Sequence, residues 1–277
     1  MKRYSVMLCL AIALCVAACN KYDGPLPSQK RQLTYFEAAG FPLHYKYDNN
    51  RLLTQLFMRQ AGLGPNFLFT YDPLKRPLTM RDSISASFNK FIYQYGRLIR
   101  IDKFGGDGTT LNGQIVFQYD GKGRIIRKDG DANYYDYVKY EYQGNSLNFK
   151  RALYYSYSTA KAQTAGETAS LIEEYTYDNE VNPFITLLNF QVVPLHWSNY
   201  WGPVFYEPIT PNNVQNLKTY GLTDTGYFKF MEFDFTYVYD HHYPVSHQFH
   251  RTNFNPDGTP GFQTNFPGVY TYDILHW

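Results

Sequence analysis

Five aromatic residues fall within ten positions: Trp197, Tyr200, Trp201, Phe205 and Tyr206. Exposed indole and phenol rings stack on the apolar faces of sugars. Trp197, Tyr200, Trp201 and Tyr206 are therefore the candidate ligand-binding residues, with a polysaccharide as the ligand class. The same rings could instead cap the open end of a sheet, because buried aromatics dominate packing energy, and the capping role is the favoured one.

Four histidines crowd together, His241, His242, His247 and His250, with Asp234 and Asp240 close by. A zinc site needs such side chains to converge. His247 and His250 are three apart, which on a strand sets them on opposite faces. No metal and no cofactor are expected. Carboxylates for glycoside hydrolysis could come from Glu173, Glu174, Glu232, Asp234 and Asp240, but two acids must flank the scissile bond at a set separation. Alternating with aromatics, these acids read instead as the wet face of strands. There is no Gly-x-Ser-x-Gly elbow, and Gly105-Gly106-Asp107-Gly108 is a turn, because no Gly-Lys-Ser/Thr follows it. The chain reads as non-catalytic, with a glycoside-active enzyme as the alternative.

The elements that must position these residues repeat. An aromatic, any residue, then Tyr recurs with the last Tyr at 47, 71, 95, 119, 142, 177, 239 and 272. The first four are 24 apart. Segments such as Leu43-Tyr45-Tyr47 and Val138-Tyr140-Tyr142 alternate with polar residues, the mark of a strand with one buried face. After each anchor come turn residues, as in Tyr119-Asp120-Gly121-Lys122-Gly123, and then a second strand. One repeat is thus one β-hairpin. Eight copies predict an all-β fold, an antiparallel meander of roughly fourteen to sixteen strands, curled or barrel-like. The tyrosine ladder is expected in the core, its hydroxyls reaching a rim or water.

The period breaks over about 182–226, where five prolines and two of the three Trp fall. Proline removes ladder donors, so this is expected to be a loop-rich insertion. Ser158 to Ser170 reads as an exposed hairpin tip. Composition agrees with many strands: aromatics are 19% and charged residues 18%, which excludes disorder for most of the length.

The N-terminus stands apart. Met1-Lys2-Arg3 precedes an apolar stretch to Ala18, too short to span a membrane and patterned like a signal peptide. Val16-Ala17-Ala18-Cys19 resembles the bacterial lipoprotein box. That resemblance implies cleavage after residue 18 and lipidation of Cys19, with multiple acyl chains such as palmitate. The membrane would then be reached through that lipid, with residues 19–32 as a tether and 33–277 as a single repeat domain. Asn20 after the Cys leans toward the outer membrane, on either face. Cys9 and Cys15 would leave with the leader, so the mature chain would have no disulfide. Losing Lys2 and Arg3 takes the formal charge from +2 to neutral, which argues against nucleic acid as a partner.

The Tyr-Asp turns followed by Gly or Asn, Arg and an aliphatic are similar to the YD repeats of Rhs-type proteins. The later pieces, Tyr177-Asp178-Asn179 with Asn182-Pro183-Phe184, Asn212-Asn213-Val214, and Tyr239-Asp240 with Tyr243-Pro244-Val245-Ser246, resemble Bacteroidota lipoproteins of unknown function. The resemblance covers about residues 41–277 and implies a fold and a location, with no activity to carry over. A transmembrane barrel is the rival architecture, but Lys46, Arg100, Arg127, Lys139, Glu141 and Glu174 leave no clean apolar band. The expected role is a binding or scaffolding module of the cell envelope. An envelope protein is the other possible partner, and would need an apolar patch.

Overall fold

The aromatic segments are strands, and the strands close on themselves. In chain order they are β1 (Arg31–Ala38), β2 (Phe41–Tyr47), β3 (Leu53–Met58), β4 (Asn66–Tyr71), β5 (Pro77–Asp82), β6 (Phe88–Gln94), β7 (Arg97–Phe104), β8 (Leu111–Tyr119), β9 (Ile125–Asp129), β10 (Tyr137–Tyr142), β11 (Phe149–Tyr155) and β12 (Leu171–Val181). A 3-10 turn (Pro183–Thr186) and four short strands follow: β13 (Val192–Val193), β14 (His196–Ser198), β15 (Gly202–Val204) and β16 (Glu207–Pro208). The chain ends with β17 (Asn212–Thr223), β18 (Gly226–Asp240), β19 (Tyr243–Phe254) and β20 (Pro260–Ile274). The computed structural model describes residues 29–58, 64, 66–130, 135–156, 168–187, 189–198, 202–204 and 206–275, with backbone alone for 196–198 and 202–204. The leader, Cys19, residues 20–28 of the tether and 158–167 of the hairpin tip lie outside them.

Strands β1–β12 and β17–β20 pair antiparallel in sequence order, and β20 returns to β1, which closes a 16-stranded barrel. The barrel is a ring of eight equivalent units. In each unit an anchor tyrosine pairs across to the second strand: Tyr47 with Leu53, Tyr71 with Pro77, Tyr93 with Leu98 and Tyr119 with Ile125. Tyr142 pairs with Phe149, Tyr177 with Val214, Tyr239 with Pro244 and Tyr272 with Leu33. A register shift follows every one of these pairs. The extra residue of each bulge sets the inward positions of the second strand three apart rather than two. Leu53 and Leu56, Leu98 and Ile101, and Phe149 and Ala152 all face the interior this way, within one core. The eighth unit joins β20 to β1, so the two ends of the chain supply its two strands.

One anchor differs from the sequence expectation. Tyr95 is 95% exposed. With φ of 49° there and 78° at Gly96, the two residues form a two-residue hairpin turn between Gln94 and Arg97. The anchor of that unit is Tyr93. The uniform 24-residue spacing is therefore really 24, 22 and 26.

Six anchor hydroxyls bond main-chain carbonyls instead of reaching water, and Tyr237 rather than Tyr239 does so in its unit. Tyr47 donates to the carbonyl of Leu33, Tyr71 to Leu53, Tyr119 to Leu98, Tyr142 to Ile125, Tyr177 to Phe149 and Tyr272 to Pro244, at 2.6–2.9 Å. Each acceptor is the first inward residue of the preceding unit, which has just left the ladder at a bulge. The phenol caps a main-chain carbonyl that would otherwise be stranded. Phe could fill the space but not make this bond.

The Tyr-Asp turns are equally regular. Asp72 Oδ1 accepts the amides of Leu74 and Arg76, and Asp120 Oδ1 those of Lys122 and Arg124. The other oxygen takes the guanidinium of Arg76 or Arg124. That guanidinium then lies over the next unit's anchor ring, Arg76 at 4.5 Å from the Tyr93 centroid and Arg124 at 4.4 Å from Tyr142.

The insertion is shorter than expected, because 212–223 is a full barrel strand. Its prolines end at Pro211, and Asn212 restarts the ladder opposite Val181.

Candidate functional site

The insertion between β12 and β17 does not lie over the end of the barrel as a lid. It is packed into the interior. Leu187, Phe190, Val192, Leu195 and Tyr206 belong to the same buried core as the barrel's inward residues. Phe190 meets Phe69 edge-on at 5.6 Å, Tyr206 meets Phe91 at 6.1 Å, and Phe184 meets Phe36 at 5.5 Å. Polar side chains satisfy barrel backbone at the same time. Gln191 accepts from the Leu98 amide and the Tyr119 hydroxyl and donates to the Gly96 carbonyl. Thr186 accepts from the Leu33 amide. Asn189 donates to the Lys75 carbonyl.

Inside the barrel these contacts surround a charged cluster. Lys128 on β9, 2% exposed, reaches Glu207 of the insertion at 2.5 Å. Tyr140 donates to the other Glu207 oxygen at 2.9 Å. Glu173 on β12, 5% exposed, accepts from Tyr154 at 2.6 Å and from Tyr175. Burial pushes the Glu173 carboxyl up to about 7 against the lowering effect of those two hydroxyls, and the Glu207 charge adds to the rise. Of the acids considered for hydrolysis, only Glu173 enters the interior. Glu174 pairs with Arg151 at 2.6 Å, Glu232 with Lys229 at 2.7 Å, and Asp234 accepts from Asn216, all on the outer wall. Asp240 sits at the rim, bound by Arg31 at 2.6 Å.

The histidines scatter as strand alternation requires. His250 faces outward onto Asn265, while His247 is buried among Phe36, Phe235, Tyr237, Phe249 and Tyr270. Neither ring nitrogen of His247 has a partner, and burial pushes its pKa down to about 4. His241 and His242 occupy the β18–β19 turn beside Asp240 and Glu180. Among the described residues no group of three or more potential ligands converges.

Tyr206, read from sequence as an exposed ring, is 1% exposed, and its hydroxyl accepts from Asn89 at 2.6 Å. Its ring is spent on packing. Trp197 lies on β14 opposite Pro203 of β15. The Trp197 side chain, Tyr200 and Trp201 lie outside the described residues. Lys128 and Glu207 were not anticipated. Lys128 occupies the repeat slot that holds Leu56, Met80 and Ile101 in other units, so aligning bulges rather than anchors would have exposed it.

The outer wall is wet. Arg100 and Asp102, Arg127 and Asp129, Arg151 and Glu174, and Lys218 and Glu232 pair along it. A lipid-facing wall carries a continuous apolar band and a porin-type lumen is polar; here the wall mixes these ion pairs with the exposed Leu68, Leu78, Val116 and Val238, and the interior packs aromatics around the Lys128–Glu207 pair. At the rim where the chain enters, an open groove of about 800 Å³ runs between β1, β2 and the end of β20, edged by Gln32, Lys46, Asp48, Arg51 and Asp273.

No family model and no curated protein sequence matches the chain. Among solved structures, the fold is similar to a porin-like protein from Bacteroides uniformis, at TM-score 0.53 and 12% identity over 91% of this chain and 99% of that one. Weaker likenesses join it to a TcdB2-TccC3-Cdc42 complex (TM-score 0.28, 13% identity, 82% of this chain and 14% of that one) and to the Photorhabdus luminescens Tc holotoxin pore (TM-score 0.29, 14% identity, 78% and 13%).

Proposed function

We propose that this is a non-catalytic, lipid-anchored module of the cell envelope, a filled barrel standing in water that binds or scaffolds a partner. The observation that supports it is the wall and its filling: ion pairs outside, and an aromatic interior filled by the insertion. A water-filled pore would need a polar lumen, and a spanning wall a continuous apolar band. Attachment then rests on Cys19, and stable anchoring takes more than one acyl chain. The test is metabolic labelling with a palmitate analogue, followed by fractionation. Wild type should carry label and sediment with outer membrane, whereas Cys19→Ser should lose label and anchorage together. Label-free wild type would end the anchored reading.

The ligand proposed is a polysaccharide, taken by Trp197, Tyr200 and Trp201. A soluble chain starting at Asn20 should show saturable quenching of tryptophan fluorescence on titration with envelope glycans, lost in Trp197→Ala and Trp201→Ala. No response from the folded protein would leave these rings a structural role only. A hydrolytic reading draws on Glu173, which holds a proton near neutral pH within the field of Glu207. Both Glu207 oxygens are engaged, however, by Lys128 and Tyr140, so the pair is better explained as the clamp on the insertion. Glycoside turnover lost in Glu173→Gln would reverse that assignment.

A further inference from the structure

The four C-terminal strands are longer than most of the others, and β20 outruns its partner. β1 pairs with β20 only from Ala38 opposite Gly268 onward, and the Ala39 amide makes a last bond to the Pro267 carbonyl. From Pro260 to Phe266, β20 is paired to β19 on one side. On its other side no strand among the described residues pairs with it. The free stretch reads Pro260-Gly261-Phe262-Gln263-Thr264-Asn265-Phe266-Pro267. It holds no charged residue, and Phe262 is 65% exposed. Native edges are usually blunted by charge, above all by lysine. This one is not.

The direction of its free backbone groups follows from Pro267. Its carbonyl points toward the β1 side, so by alternation the amides and carbonyls of Asn265 and Gln263 point the same way. The sequence around Thr264 is nearly palindromic: Phe, Gln, Thr, Asn, Phe. We propose that the protein forms a twofold homodimer in which this free edge of β20 pairs antiparallel with the same edge of a second copy, centred on Thr264. Phe262 then meets Phe266 of the other copy, Gln263 meets Asn265, and Thr264 meets Thr264. Aromatic pairs and Thr–Thr pairs are favoured across strands. The two Gln263–Asn265 pairs are the hydrogen-bonded kind, which gives four main-chain bonds. The place opposite Pro267 is already taken by Ala39 of the same copy, so the pairing is confined to Phe262–Phe266 and each partner strand turns away at Gly261. A foreign strand would fit the bonds but has no reason to match the residues. The edge also lies at the rim opposite the one where β1 begins, so a tether at the N-terminus leaves it open.

The chain from Asn20 contains every barrel strand and no cysteine. Sedimentation equilibrium of that chain over the micromolar range should give twice the monomer mass. Asn265→Pro removes an outward amide that the β19 ladder does not use, and should return the mass to that of a monomer. Thr264→Cys should form a disulfide-linked dimer on mild oxidation, because facing Cβ atoms in such a pair are only about 5 Å apart. Ser246→Cys, at the other end of β19, should not. A monomeric wild type would overturn the proposal. So would a dimer that Thr264→Cys fails to cross-link.

Discussion

Lys128 of the barrel wall and Glu207 of the insertion meet at 2.5 Å in the interior, the lysine 2% exposed. Their contact fastens a segment with little secondary structure of its own to the closed wall around it. Removing one partner of a buried pair leaves an uncompensated charge, so Lys128→Met or Glu207→Leu should each cost about 3–5 kcal/mol. The double variant Lys128→Met/Glu207→Leu should recover much of that loss, as measured by urea denaturation in a double-mutant cycle.

Two buried groups should tilt stability with pH in opposite directions. The Glu173 carboxyl is raised from 4.5 to about 7, mainly by burial. The folded state keeps a proton the unfolded chain has lost, so this stabilisation is complete below pH 4.5 and disappears as pH rises through 7. The His247 imidazole is lowered from 6.5 to about 4, by burial. Here the unfolded chain takes the proton first, and stability falls as pH drops from 6.5 toward 4. The two slopes oppose each other between pH 4.5 and 6.5. In Glu173→Gln the His247 slope should remain and stability should rise with pH across that window. In His247→Gln it should fall. Denaturation midpoints at half-unit pH steps would show both.

The ladder tyrosines should lose stability when only the hydroxyl is removed. Tyr142→Phe strands the Ile125 carbonyl and should cost about 1 kcal/mol. The choice between Tyr93 and Tyr95 as anchor has a sharper test. Tyr93→Ala empties a packed position and should cost about 3 kcal/mol. Tyr95→Ala should change stability by less than about 0.5 kcal/mol. Thermal melts of the two variants decide it.

Gly268 leaves room for the His247 ring. A Cβ there would stand 2.0 Å from the imidazole. Gly268→Ala should therefore destabilise the barrel by about 1–3 kcal/mol, the usual cost of overpacking. Truncating the obstacle in Gly268→Ala/His247→Ala should make the glycine change nearly neutral relative to His247→Ala alone.

Much of this architecture is legible in the residues. The alternation through Leu43-Tyr45-Tyr47 and its counterparts states which side of each strand is buried, and the Tyr-Asp dipeptides state where the chain turns. What misleads is local similarity without pairing information. Tyr95 follows Tyr93 at the same spacing by which true anchors follow their neighbours, and only the positive φ of the Tyr95-Gly96 turn separates them. The destination of the insertion is hidden for a different reason. Its rings bury themselves against β1, β4 and β6, far away in sequence, and no local pattern records whether aromatics around a proline run cover a core or enter it. Lys128 and Glu207 look like ordinary surface charges until the bulges are aligned.

The ring's eighth hairpin has no turn. Its two strands are the first and the last to be made, and their register joins Leu33 to Tyr272 and Phe36 to Tyr270 across almost the whole chain. Six units can zip from local contacts and the β12–β17 unit must close across the insertion, but the circle shuts only through the pairing of β1 with β20, the most distant in sequence and the slowest class of contact to make. A nascent chain therefore holds an open sheet with two bare edges, and the barrel can exist only once β20 has arrived.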